Sequence, residues 1–208
     1  MSYIENRVKV SYYGRLSADS ALLVKVPTTP GHKQQKLHTL AAKAFKAMSN
    51  ATVRDLKLAL LAASGWRPHR WLSRRQYEDF ITKKYGSAEK GRLYLAYDSP
   101  HETGLAVDIG CGGLYPDSST IEKQKATKLF KWLVEHAWEY GVTNFFPEPW
   151  HWEYNIPLEA FKSGTLDQAI EPTNQSIEPI KPIITLNDVC DDNMCLEVPW
   201  DLDYISKA

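Results

Sequence analysis

Ser99-Pro100-His101-Glu102-Thr103-Gly104-Leu105-Ala106-Val107-Asp108 places a histidine and an aspartate seven residues apart, with a glycine between them. On one continuous strand that odd offset would send the two side chains to opposite faces. Gly104 lets the backbone turn, so both can converge on one point. Leu105, Val107 and Ile109 alternate with Ala106 and Asp108, the pattern of a strand that carries a ligand at its end. Further along, Glu148-Pro149-Trp150-His151 supplies a second histidine from a different strand. His101, Asp108 and His151 form a workable three-residue ligand set for a catalytic zinc, with the fourth position left to water. Glu148 is a separate carboxylate available to take that water's proton. Pro149 restricts it to extended geometry. Glu102 and Glu153 flank ligands directly, where alternation is expected to point them elsewhere. The site is thus assembled by the fold, unlike the zinc helix of His-Glu-x-x-His, which the chain lacks.

Around this constellation the sequence gives a set of element expectations. Residues 7–11 and 21–26 are β-rich and read as a peripheral hairpin. Leu37, Leu40, Ala41, Ala44, Phe45 and Met48 share one helical face, which predicts a helix over 33–49. The apolar run Leu58 to Ala63 reads as a buried strand ending at Ser64-Gly65. Ser73 with Gln76 forms a capping box and Gly86 a stop, predicting a helix over 74–85. Residues 87–97 read as a loop. A second capping box, Ser119 with Glu122, opens a helix running to Gly141. Val142 to Phe146 is the strand expected to deliver Glu148 and His151.

Composition bounds what surrounds the site. At 208 residues the chain can bury one core. Residues 1–165 are expected to form the catalytic domain, and 166–208 an extended acidic tail containing Pro172, Pro179 and Pro182. From Glu171 onward eight acidic residues face two lysines, which leaves 23 basic and 17 acidic residues before it. The mildly basic body suits an anionic polymer. It is too weakly charged for nucleic acid, and no basic run with interleaved aromatics supports that partner. No apolar run approaches the ~18 residues of a membrane span, so stable membrane insertion is not expected. The N-terminus lacks a secretory signal pattern, so cytoplasmic synthesis is expected. A monomer is expected. Cys111, Cys190 and Cys195 make no disulfide framework, and the last two read as incidental thiols.

At these residues the sequence resembles the zinc D-alanyl-D-alanine carboxypeptidase family. That family includes vancomycin-resistance-type D,D-carboxypeptidases and D,D-dipeptidases and the L-alanyl-D-glutamate endopeptidases of phage lysins, and it shares its core with the hedgehog signalling domain. Ser-x-His-x-x-Gly-x-Ala-x-Asp is matched by Ser99, His101, Gly104, Ala106 and Asp108. Glu-x-Trp-His is matched by Glu148, Trp150 and His151, and Ser-Gly-aromatic-Arg by Ser64, Gly65, Trp66 and Arg67. The likeness spans about 34–156.

The resemblance implies an α+β domain with a small antiparallel sheet flanked by helices. It also implies Zn2+ held by His101, Asp108 and His151, Glu148 as catalytic base, and a peptidoglycan stem peptide as substrate. It assigns Arg67 to the substrate or transition state, although spacing alone favours an ordinary surface or structural arginine. Ser99 either supports the site or caps a turn, and Trp150 is expected to shape the pocket floor. The family's glutamine, usual soon after that arginine, is displaced here to Gln76 behind a longer loop. Carboxypeptidase and endopeptidase both remain open, and beside them a non-catalytic, zinc-containing binding module of the hedgehog type.

Overall fold

The computed structural model describes residues 7–92 and 94–166. The tail expected over 166–208 therefore lies, apart from Leu166, outside the described residues, as do Cys190 and Cys195.

The chain opens with a single helical turn, α1 (Val10–Tyr13), followed by β1 (Leu23–Lys25), β2 (Lys36–His38) and the long helix α2 (Thr39–Leu56). Then come β3 (Ala62–Ser64), α3 (Arg74–Tyr85), α4 (Ala88–Arg92), a 3-10 turn at Pro100–Thr103 and β4 (Ala106–Ile109). Two short helices, α5 (Ile121–Lys125) and α6 (Lys128–His136), precede β5 (Val142–Asn144), β6 (His151–Tyr154) and α7 (Leu158–Ser163). β1 pairs with β2, and a four-stranded antiparallel sheet runs in the order β3-β4-β6-β5. The α+β class expected from the sequence is what the molecule shows. Among the described residues no helix is long and apolar enough to cross a membrane.

The sheet has a core face and a site face, and period-two alternation sorts residues between them. Val107 and its cross-strand partner Trp152 join α2 and α6 in the main apolar cluster, with Phe45, Met48, Leu129 and Leu133. The intervening residues Ala106, Asp108, His151 and Glu153 face the other way. A smaller cluster of Trp71, Tyr77 and Ile81 gathers under α3 and α4. It is extended by Arg70 stacked 4.6 Å over Trp71 and Arg74 stacked 3.9 Å over Tyr97.

Several local expectations change. Residues 7–11 form no hairpin with 21–26. Val8 and Val10 are buried alternately as a strand would bury them, but the amides of Arg7 and Val8 bond the Glu153 carboxylate instead of a neighbouring strand. β1 pairs with β2, which takes residues 36–38 away from the expected helix start. His38 then caps α2 by accepting from the Leu40 amide, and Ala51 and Thr52 carry the buried stripe a further turn. Leu58 and Leu61 are exposed, so the strand begins only at Ala62. α3 is where the capping box puts it, with Ser73 accepting from Gln76 and Gly86 left-handed. The loop over 87–97 contains α4. The single helix expected before Gly141 is broken, because Thr127 caps α6 afresh and Asp117, not Ser119, caps the first turn. β5 stops at Asn144, and His151 opens a strand of its own.

Candidate active site

Every motif that carries chemistry ends at one corner of the sheet. β4 and β6 run antiparallel in a register that sets Asp108 directly opposite His151, with Ser64 of β3 on the other side of Asp108. His101 arrives from the 3-10 turn. Gly104, with φ +73°, ends that turn, and a side chain there would meet the His38 amide at 2.8 Å. Gly65 is equally constrained, since a Cβ would lie 2.5 Å from the Lys36 carbonyl. That close approach lets the Trp66 amide bond the same carbonyl and turns the chain away from β3 towards Arg67.

Three atoms converge in this corner. His101 Nε2 lies 3.3 Å from Asp108 Oδ1, His151 Nδ1 lies 3.1 Å from the same oxygen, and the two nitrogens are 3.2 Å apart. A tetrahedral ion with bonds of ~2.0–2.1 Å holds its ligand atoms about 3.4 Å apart, so the triangle has the right size. Its proton pattern fits as well. His101 Nδ1 donates to the Gly65 carbonyl at 2.7 Å, and His151 Nε2 donates to Glu153 Oε1 at 3.1 Å. In the neutral rings each proton thus sits on the outer nitrogen, leaving lone pairs inward beside a carboxylate oxygen. Three acceptors facing one another are satisfied by a cation. All three residues are buried.

The electrostatics agree. Burial and the nearby Arg67 hold the His101 ring below its ordinary value. Burial opposes charge on His151, but hydrogen bonds to Asp108 and Glu153 outweigh it and lift the ring to about 10. Asp108 would be raised by burial, yet the two histidines keep it far below the carboxylate range. The corner attracts positive charge.

Glu148 sits in the loop between β5 and β6. The His151 amide bonds its carbonyl at 2.9 Å, and the Asn144 side chain ties the carbonyls of Glu148 and His151. Its carboxyl is raised, first by burial and further by Asp108, with His151 and Arg67 pulling the other way. It is therefore close to the triangle without belonging to it. Arg67 is exposed and makes no hydrogen bond or ion pair with any described residue, while its charge reaches His101, Glu148 and Tyr115. Trp150 is buried beside His151. Ser99 heads the 3-10 turn, its amide bonded to Glu102 Oε1 at 3.0 Å. Gln76 serves α3, accepting from the Leu72 amide at 2.7 Å.

Two residues set aside in the sequence turn out to matter here. Glu153, two places after His151 on one strand, shares its face and orients its ring; the period-two rule carried that signal. Glu102 is buried and gathers Arg15 Nε at 2.6 Å, His69 Nδ1 at 3.1 Å and the Ser99 amide.

The fold and this donor set define a small α+β domain built around a His/Asp/His corner. Residues 34–157 match the family model VanY, D-alanyl-D-alanine carboxypeptidase, and the chain belongs to that family of peptidoglycan peptidases. Among solved structures it is similar to the LdcB LD-carboxypeptidase, at 28% identity and a TM-score of 0.53, covering 69% of this chain and 72% of that one. It is also similar to VanYB in complex with D-alanine-D-alanine (19% identity, TM-score 0.45, covering 72% of this chain and 85% of that one). A Zn(II) complex of a mutant vancomycin-resistance D,D-pentapeptidase VanY gives 18% identity and a TM-score of 0.42, covering 72% of this chain and 86% of that one. No curated protein sequence matches the chain.

Proposed function

We propose that the chain is a zinc-dependent carboxypeptidase that removes the terminal D-alanine of peptidoglycan stem peptides. The observation that carries the reading is the inward-facing triangle of His101, Asp108 and His151, with a separate carboxyl, Glu148, and an unpaired cation, Arg67, beside it. Zinc in that triangle would polarise the scissile carbonyl and lower the pKa of water from ~15.7 towards ~7.

The chain's own groups supply the rest. Glu148, held near the triangle by the Asn144 clip, accepts the proton of the attacking water and returns it to the leaving amine. Burial keeps its carboxyl above the ordinary range, which suits a group that must give the proton back. Arg67 meets the free carboxylate of the substrate or the developing oxyanion. A free terminal carboxylate supplies an anionic partner for it, which favours trimming over cutting inside the stem. A purely structural metal site needs no base, so Glu148 speaks against a non-catalytic module.

Mass spectrometry of muropeptides after digestion tests this directly. The expected products are stem peptides shortened by one D-alanine, with no loss of wall turbidity and no reaction in EDTA. Glu148→Gln is expected to lower kcat by about 10²–10⁴ while zinc stays bound. Unchanged turnover by that variant would remove Glu148 from the mechanism. Fragments cut within the stem would make the enzyme an endopeptidase.

A further inference from the structure

The His151 ring is backed by the Glu153 carboxylate, and the turn that presents His101 is braced by the Glu102 carboxylate; both carboxylates are gripped by groups outside the stretch that matches the family. Glu153 is fully buried. One of its oxygens takes the His151 ring, and the other accepts the amides of Arg7 at 2.7 Å and Val8 at 2.9 Å. Glu102, next to His101, takes Arg15 Nε on Oε2, and its carbonyl accepts the Leu16 amide at 2.9 Å. Arg15 also pairs with Asp98. Between these two contact points Tyr13 anchors the segment, its hydroxyl donating to the Ile156 carbonyl at 2.7 Å and its ring packed edge-on against Phe161. The side chains of Val8 and Val10 are buried. Residues 7–16 lie before position 34, where the family match begins.

We infer that residues 7–16 are a strap that completes the outer shell of the metal site, with Val8 and Arg15 as positioning residues. The proposal rests on the reading of the triangle as a zinc site. Two successive backbone amides on one oxygen fix the plane of the Glu153 carboxylate. That plane fixes the His151 ring, whose Nδ1 must stay turned inward. Without the amides a buried oxygen loses its partners, and the carboxylate is free to swing away from the ring. Arg15 acts in the same way on the turn that presents His101. Outer-shell partners of metal-binding histidines typically change metal affinity 10- to 100-fold when removed. Here the groups that hold Glu153 and Glu102 in place come from a segment the family match does not contain.

Proline is the variant that isolates the Val8 amide, because it removes the N–H. Val8→Ala loses the same packing and keeps it. In the full-length protein, zinc dissociation constants are read by competition with a chromophoric chelator, alongside the melting temperature of the metal-free form. Both variants are expected to melt lower. Only Val8→Pro is expected to weaken zinc, by about 10- to 100-fold. Should Val8→Pro fail to fold, Arg15 decides: Arg15→Ala is expected to weaken zinc severalfold, with partial recovery in Arg15→Lys. Wild-type protein that takes up no zinc overturns the metal-site reading, and the strap with it. Wild-type binding shared unchanged by Val8→Pro and Arg15→Ala overturns the strap alone, since a merely structural role lowers melting without moving zinc affinity.

Discussion

Two groups of histidine and carboxylate meet at the 3-10 turn, one taking His101 and the other its neighbour Glu102. In each, the potential ligand atoms lie within 4.8 Å of one another. With its rings neutral, the first, His101 with Asp108 and His151, sends its ring protons outward to Gly65 and Glu153, so that only acceptors face the centre. The second, His69 with Asp98 and Glu102, already contains a cation. Arg15 donates from Nε to Glu102 and from Nη2 to Asp98, and the His69 ring bonds Glu102 as well. One group is an ion-pair knot that ties the α3–α4 segment to the turn; the other is a cradle still short of its positive charge. Closeness of ligand-type residues therefore does not define a metal site. The direction of the protons does.

The contrast breaks most sharply at Asp108. Asp108→Ala leaves two histidines facing each other with no negative charge between them. Zinc retained after dialysis is expected to vanish, and hydrolysis to fall at least about 10³-fold. Retention of stoichiometric zinc with near-normal turnover would put the ion elsewhere, with the Asp98 group the first place to look. The two arginines extend the comparison. Arg15 is spent on its carboxylates, whereas Arg67 has no ion pair among the described residues and so is open to an anionic substrate. Arg67→Ala is expected to cost about 10²–10³ in kcat/KM while zinc affinity stays put. A variant that loses zinc as well would make Arg67 part of the cradle.

How much of this could be read from the chain depends on how local each signal is. The meeting of His101, Asp108 and His151 was legible because the motif spacing and Gly104 fix them within short segments, and α3 because Ser73, Gln76 and Gly86 sit within its own ends. The strap was not. Alternation at Val8 and Val10 is that of a strand, and nothing nearby reveals that the amides go to a carboxylate 145 residues away. β6 was hidden for a similar reason, since its register against β4 is a tertiary fact. Glu153 was legible and misjudged, because alternation applied two residues on, not one, puts it beside His151. The helix expected up to Gly141 failed at Thr127, whose side chain accepts from the Phe130 amide and restarts the helix.

His38 supplies the smallest test, and it isolates the proton argument from the metal. Its ring is locked as firmly as those of the triangle: Nε2 donates to the Phe161 carbonyl at 2.9 Å, and Nδ1 accepts from the Leu40 amide at 3.2 Å. Here the lone pair meets a donor, so no cation is wanted. Burial holds the ring below the ordinary histidine value of 6.5, against the pull of the Phe161 carbonyl. As pH falls through 6.5 the unfolded chain takes up a proton that the folded chain refuses, so stability drops with falling pH until the depressed folded value is reached. The slope from one such group is at most about 1.4 kcal/mol per pH unit. His38→Asn keeps an oxygen for the Leu40 amide and removes the titration. Melting curves between pH 7.5 and 5.5 are expected to fall less steeply for His38→Asn than for wild type, the triangle's own histidines contributing equally to both. Parallel curves would mean that His38 carries its proton in the folded chain, and that a ring between one donor and one acceptor is not held neutral by them.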